Sequence, residues 1–600
     1  MSVPRRLTRW CTLSYGLLLL TWVPLLAAVG HAWRAGWVPI GDHGLIELRA
    51  ADVLTANHPW LGTWTSASLS AGADLNNPGP LLFDALAPFV KLFGGSIGAV
   101  WGVAVINGAA SALTLWQGRV LAGRRGEVVM AAACLLLMWS MGSELLIDPW
   151  QPHVLMLPFL AFLACAAASA AGHTGSIAWT VGMASLLVQS HLSFTYLVAS
   201  VGAVSFTLCW FSLRRSPPTS GEGDLQNVDS GFDRARSGQW RRPLVATGLT
   251  TVVCWFQPLY EQIFGAGEGN LSRLAGARGS SSDSIGAHLG TRLVARVLAL
   301  PPWFLRPSFE ESIPITPRSE DGLVHFDAWP SLPAALLSLA LVGLVAVLLA
   351  RRLFRSGERD LATLLVVISC AVGAAWLTML LMPLGPLGLA SHQMRWLWPI
   401  SVMFWCAMAA GAVTCLPSLW WLKVGLPPSR RRPVFLGGLV VVCVISLPTY
   451  LTDSGPATFR QYRGVIASMM AQLETVHLDE PAQFDTSNLR FAEPFSGPAL
   501  YVLLDNDQPV TVVDEGFVRQ LGDGRRASGD ERWMVQVLER DAALTRDSGS
   551  TLLAFADGLT GGQRDELAAL EGSGADPARL EELISLRRSL MVAIVLIPLA

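Results

Sequence analysis

Charge is what this 600-residue sequence has least of: Asp, Glu, Lys and Arg together make up 15% of it, against about 25% in soluble domains. With 52% hydrophobic residues and a mean hydropathy of +0.44, that shortage excludes an ordinary soluble chain and predicts a polytopic membrane protein. Neither sign of charge is in excess. The formal net charge is −2, so no basic field invites a nucleic acid. Cysteine pairs are also missing. All nine cysteines lie in or beside apolar runs, without a CxxC spacing and with none in a polar loop. An external disulfide framework and a thiolate zinc site are thereby excluded, and the cysteines read as small buried hydrophobes. The sequence has no internal repeat of the kind that marks the inverted halves of many transporters.

What is present is patterned for a bilayer. Windows of about 19 residues predict about eleven helices, near 11–30, 97–117, 127–146, 153–171, 177–190, 194–212, 243–260, 332–350, 361–382, 395–415 and 433–450. The first is long enough to span, and His31-Ala32-Trp33-Arg34 is a poor cleavage site, so it reads as a retained helix rather than a signal peptide. Arginine and lysine concentrate in alternate loops, at 5–9, 119–125, 214–242, 351–355 and 423–432. By the positive-inside rule those loops and the N-terminus are cytoplasmic, while loops 31–96 and 261–331 and everything after 451 face outward from the cell membrane. The stretch 177–212 is either two short helices broken at Gln189-Ser190-His191 or one long helix with a re-entrant turn. Residues 213–242, with Pro217-Pro218, glycines and mixed charge, read as a flexible cytoplasmic linker. Within 261–331 a helix is expected at 285–299, and Asn270-Leu271-Ser272 matches the N-glycosylation pattern.

After 451 the hydropathy collapses. Residues 451–600 are expected to form a small extracytoplasmic α/β domain, separate from the transmembrane domain of residues 1–450. Its helices are predicted at 457–476, 531–545, 562–571 and 577–587, and its strands at 498–504, 509–513, 551–555 and 591–597. The last run is too short to span a bilayer, and its β-branched content favours a strand. The domain carries no motif of catalytic quality, so its expected role is auxiliary.

Residues 37–93 form the first long polar segment after the first apolar run. They place Asp42, His43, Glu47 and Asp74 beside tryptophans and then enter an amphipathic stretch ending near Leu92. Carboxylates beside aromatics suit a polar reaction centre at the edge of hydrocarbon; the competing reading is a solvated loop, with Asp42 as an N-cap. His43, Glu47 and Asp74 could offer oxygen and nitrogen ligands to a divalent cation, which wants several of them. Asp148, with Gln151 and His153, lies at the corresponding end of the third and fourth helices and is a second candidate acid; otherwise it simply reaches water. Gln189 and His191 sit at a helix break, where they either contact substrate or bond helix to helix.

An acid just beyond the first helix, followed by an interfacial amphipathic segment, resembles the GT-C class of membrane glycosyltransferases. Asn77-Pro78-Gly79-Pro80-Leu81-Leu82-Phe83 is similar to the His-Pro-Pro-Leu type of segment in that class, with Asn in place of His. Ile40-Gly41-Asp42, Asp148-Pro149-Trp150, Gln189-Ser190-His191 and Met394-Arg395-Trp396-Leu397-Trp398-Pro399 look most like an actinobacterial branch of it. The resemblance implies transfer of a sugar from a polyprenyl-phosphate donor to an envelope glycan or lipid acceptor at the outer face. It implies Asp42 as the base; Asp148 is the second-choice acid, and His43, Glu47, Asp74, Asn77, Gln189 and His191 are candidate substrate contacts. A cofactor is not required, although some members use a divalent cation. Arg395 is the candidate for the departing phosphate, with its tryptophans meeting the prenyl chain, and Arg273 is a weaker second cation. The rival readings are a transporter or flippase of lipid-linked intermediates, which needs the same polar cavity, and a non-catalytic envelope-assembly scaffold.

Overall fold

The computed structural model describes residues 5–215, 228–265, 267–277, 284–299, 316, 330–384, 388–415, 437–438, 440–441, 443–444, 455–456, 459–487, 489, 493–545, 549–573 and 576–599. The expected helix at 433–450, the basic residues at 423–432, the Gly/Ser run before residue 284 and the first half of the linker fall largely or wholly outside these.

The chain is a multi-pass α-helical membrane protein with a small sheet domain at its C-terminal end. Among the described residues, seven helices are long and apolar enough to cross a bilayer. The chain enters through α1 (Arg5–Ala35), then runs through α2 (Asp42–Asp52), α3 (Ala67–Ala71) and the amphipathic α4 (Leu81–Phe93). The two helices expected at 97–117 and 127–146 are both present, as the two arms of α5 (Gly95–Ile147), separated where the chain leaves helical geometry at Ala122 and Gly123; the second arm breaks again at Gly142. A single turn, α6 (Gln151–Val154), leads into α7 (Met156–Ala170). Every residue of α7 is buried, because it is apolar on all sides and α5, α8 (Ile177–Ser190), α9 (Thr195–Arg215), α14 (Arg359–Leu381) and α15 (Leu397–Cys415) enclose it. The ambiguous stretch 177–212 is therefore two helices, separated by a 3₁₀ turn at Leu192–Phe194. The expected flexible linker is shorter than its composition suggested, since α10 (Val228–Phe264) is already helical from Val228. Beyond it come α11 (Asn270–Gly276), α12 (Gly286–Leu298), which bears out the helix expected at 285–299, and α13 (Leu332–Arg355). Helix α13 exposes Leu337, Leu341, Leu344 and Val347 on the side away from the bundle. The glycosylation pattern fails on burial: Asn270 is enclosed, and its Nδ2 donates to the Asn76 carbonyl at 2.9 Å.

The C-terminal domain comprises α16 (Arg463–Leu473), β1 (Ala482–Phe484), α17 (Ser496–Asp505), β2 (Val510–Thr511), α18 (Glu515–Leu521), β3 (Trp533–Glu539), β4 (Thr551–Ala556), α19 (Gly561–Ser573), α20 (Pro577–Ser589) and β5 (Val592–Pro598). Its five-stranded sheet has the order β2-β1-β3-β5-β4, parallel at β1 and antiparallel around β5. Two expectations are corrected. The stretch 498–504 is a helix, because Glu493 accepts the Phe495 and Ser496 N–H groups at its start and a short apolar run does not by itself tell a buried helix from a strand. The stretch 531–545 is not one helix: it holds strand β3, followed by a short 3₁₀ turn at Arg540–Ala543; Val535 and Val537 point inward with a period of two, and β3 pairs with β5 across seven registers. The domain core does not stop at its own chain segment. Ile40, Leu45 and Leu48 pack into it beside Phe484, Leu500 and Phe517, so helix α2 belongs to this core as much as to the bundle.

Candidate active site

The site begins at Gly41, whose φ of 56° turns the chain into α2 in a conformation that other residues adopt only at a cost. Its N–H donates to the Pro494 carbonyl at 2.9 Å. Three residues on, a Cβ at Gly44 would come within 2.7 Å of the Gly497 backbone, so only glycine lets α2 seat against the start of α17. This contact fixes the direction in which Asp42 and His43 project.

His43 is clamped by two acceptors. Its Nδ1 lies 2.5 Å from the Ile40 carbonyl and its Nε2 lies 2.7 Å from Asp148 Oδ1. Neither oxygen can donate, so both nitrogens carry protons and the ring is an imidazolium. Burial opposes that charge, but Asp148, the Ile40 carbonyl and Asp42 overcome it and raise the group to about 9. Asp148, 0% exposed, sits at the junction of α5 and α6. It accepts from His43 and from the Trp150 backbone N–H (2.8 Å) through Oδ1, and from His153 Nδ1 (2.7 Å) through Oδ2. Burial alone would raise its carboxyl; the two imidazoles outweigh burial and hold it well below the usual carboxylate range.

Trp150 links the remaining groups. Its ring packs 5.1 Å from His153 and 4.9 Å from His392, and its side chain is a hydrogen-bond donor to Asp42. Asp42 is open to solvent yet surrounded by protein, the combination expected at the wall of a cleft, and that enclosure raises its carboxyl above the ordinary value. Near these imidazoles lies Arg395, 3% exposed, whose charge acts on both His153 and His392. Burial, then Arg395, lowers His392 to about 3, leaving its imidazole neutral. His191 belongs to the same neighbourhood, since it interacts electrostatically with His392. Its Nδ1 accepts from Ser193 N and Oγ, so the ring proton is on Nε2.

Asp42, His43, Asp148, His191 and Arg395 are thus brought together, and the other sequence candidates are engaged in the framework. Glu47 is fully buried one turn along α2; its Oε2 accepts from Ser96 Oγ at 2.9 Å, and burial pushes its carboxyl up to about 8. Asn77 donates to Thr63 and accepts the Leu192 N–H, tying the first loop to the break between α8 and α9. Gln189 donates to the Cys254 carbonyl at 2.6 Å, a helix-to-helix bond. Asp74 accepts from the Trp64 indole, and Arg273 donates to the Glu268 carbonyl. Trp396 and Trp398 are buried in the bundle and make neither an interfacial anchor nor a lipid contact. His392 and the bridging role of Trp150 escaped the sequence reading, although the spacing of His392 and Arg395, one 3₁₀ turn, carried a signal. Among the described residues, no set of three or more His, Cys, Asp and Glu groups is arranged for a metal. The Asp148 oxygens are already taken by N–H donors, so the cluster does not fit a divalent cation.

No family model matches the chain, and no curated protein matches it. Among solved structures it is similar to ArnT from Cupriavidus metallidurans bound to undecaprenyl phosphate, at 13% identity and a TM-score of 0.46, with 98% of each chain covered. The apo state of the same protein gives 12% identity and a TM-score of 0.40, again over 98% of each chain. It is similar as well to the oligosaccharyltransferase of Archaeoglobus fulgidus, tethered to an acceptor peptide, at 13% identity and a TM-score of 0.37, over 87% of this chain and 69% of that one.

Proposed function

We infer that the chain is a GT-C-type membrane glycosyltransferase that moves a sugar from a polyprenyl-phosphate donor to a hydroxyl of an envelope glycan or lipid. One observation carries this reading: Asp148 bonds to His43, the neighbour of Asp42, and to His153, the neighbour of Arg395. An open carboxylate and a buried guanidinium are thereby held on two walls of one polar cluster at the end of the bundle that carries the C-terminal domain. Asp42 takes the proton of the acceptor hydroxyl as its oxygen attacks the sugar carbon. The bond from that carbon to the phosphate oxygen breaks, its electron pair leaves with the phosphate, and Arg395 holds the departing anion through two parallel hydrogen bonds. His43, locked as a cation, stabilises Asp42 in its ionised form.

Incubating the purified protein with labelled polyprenyl-phosphate sugars and a cell-envelope acceptor fraction is expected to give labelled product; lipid translocation in vesicles without product would instead establish the flippase reading. Arg395→Lys keeps one charge and loses the planar fork, so donor affinity is expected to fall by about tenfold, or about 1.4 kcal/mol, measured by titration with a polyprenyl phosphate. Unchanged affinity would remove Arg395 from the donor site.

The proposed orientation puts the N-terminus in the cytoplasm and residues 451–600 outside. A cysteine at exposed Ser528 is expected to react with a membrane-impermeant thiol reagent in intact cells, and one at Ser220 to resist it. The reverse pattern would put the cluster on the cytoplasmic side, away from an envelope acceptor.

A further inference from the structure

Helix α2 is held at both ends by the C-terminal domain. At its start, Gly41 bonds to Pro494 and Gly44 abuts Gly497. At its end, Asp52 receives a bidentate pair from Arg525, with Nη1 to Oδ2 at 2.6 Å and Nη2 to Oδ1 at 2.8 Å, and a further bond from Arg49. Both guanidinium groups also donate to the Leu521 carbonyl, and all three side chains are buried. A carboxylate in the last turn of a helix is opposed by the helix dipole, so Asp52 does nothing for α2 in isolation. Its partner lies across the domain boundary. The neighbouring Arg519 of α18 makes a separate attachment, to Glu261 of α10 at 2.6 Å.

We propose that the C-terminal domain is the positioning frame of the active site rather than an accessory, and that Arg525 is the positioning residue that sets where α2 presents Asp42 and His43. The proposal rests on the reading that Asp42 acts on substrate. It replaces the auxiliary role expected from the domain's lack of motifs: what the domain supplies is geometry. A displacement of about 1 Å is enough to cost about 10²-fold in rate.

The test compares full-length Arg525→Met, Arg525→Lys and Arg519→Met. Arg525→Met leaves Asp52 paired with Arg49, so no buried charge is stranded and the variant is expected to fold. Its kcat is expected to fall by about 10- to 100-fold with the donor KM nearly unchanged, and amide exchange in residues 44–52 to accelerate. Arg525→Lys is expected to restore part of both. Arg519→Met, which takes the cation from buried Glu261 and loosens α10 rather than α2, is expected to lower folded yield but to leave kcat per folded molecule within about twofold and α2 exchange as in the parent. Equal losses of activity and folded protein at Arg525 and Arg519 would mean simple domain docking, and unchanged α2 exchange in Arg525→Met would overturn the frame outright. The exchange is read on the resting protein, so a parent that transfers no sugar defeats the functional reading alone and leaves the frame to be decided by exchange.

Discussion

Asp42→Asn is expected to lower sugar transfer by about 10²–10⁴-fold, the contribution typical of a positioned general base, while donor binding stays near the parent value. Asparagine keeps the size of the side chain and can still accept the bond from Trp150; it cannot accept a proton. The pH profile separates loss of the base from loss of structure. Enclosure by the surrounding protein raises the Asp42 carboxyl, and the base is its ionised form, so the parent rate is expected to climb with pH through that elevated value. The Asn variant is expected to lose this rising limb along with most of its rate. An unchanged limb in Asp42→Asn would move the base elsewhere.

Asp148→Asn is expected to have the largest effect on stability. One carboxylate satisfies two buried imidazoles and a backbone N–H. Asparagine replaces one of its oxygens with an NH₂ that meets another N–H, leaving a buried cation without its partner, a loss of about 3–5 kcal/mol. The sign of the pH dependence follows from the two groups. His43 is raised from 6.5 to about 9, so its contribution is fully present below 6.5 and is lost as pH rises through about 9. Asp148 is depressed from 3.8, so its contribution is present above 3.8 and is lost only as pH falls through its lowered value. The difference in unfolding midpoint between parent and variant, measured in detergent micelles, is expected to be widest between about pH 4 and 6.5 and to narrow towards pH 9. A difference that is flat across this range would mean that the His43–Asp148 ion pair does not stabilise the fold.

The groups that could be found in the sequence are those that break a local rule. Asp42, Asp148 and Arg395 are charges beside long apolar runs, and a charge there stands out whatever the tertiary structure. Glu47 broke the same rule, but its burial could not be read locally, because it depends on α17 and on Tyr501, far away in sequence. Burial on all sides equally hid the placement of Trp396 and Trp398: a tryptophan pair beside an arginine at a helix end has the same local pattern whether it meets lipid or protein. The two errors in the C-terminal domain have another origin. Leu500 to Leu504 is an apolar run too short to show a period, and Val535 and Val537 alternate among residues that also favour helix. The contact between Asp52 and Arg525 left no local trace, since each reads as an ordinary surface residue until the fold brings them together.

Complete enclosure of α7 imposes an order on biogenesis. Its neighbours α8, α9, α14 and α15 all follow it in the chain, the last two long after, so as α7 leaves the ribosome most of the surfaces that will cover it are not yet in place. Asp148 and His153, at its head, already have each other, but Arg395 follows only with α15, and the Arg525 that secures α2 comes later still. At ordinary elongation rates that interval is on the order of tens of seconds. Throughout it, the nascent chain carries a buried-type carboxylate and its imidazoles in an unfinished membrane bundle, and the cluster around Asp148 is complete only once Arg395 has been added.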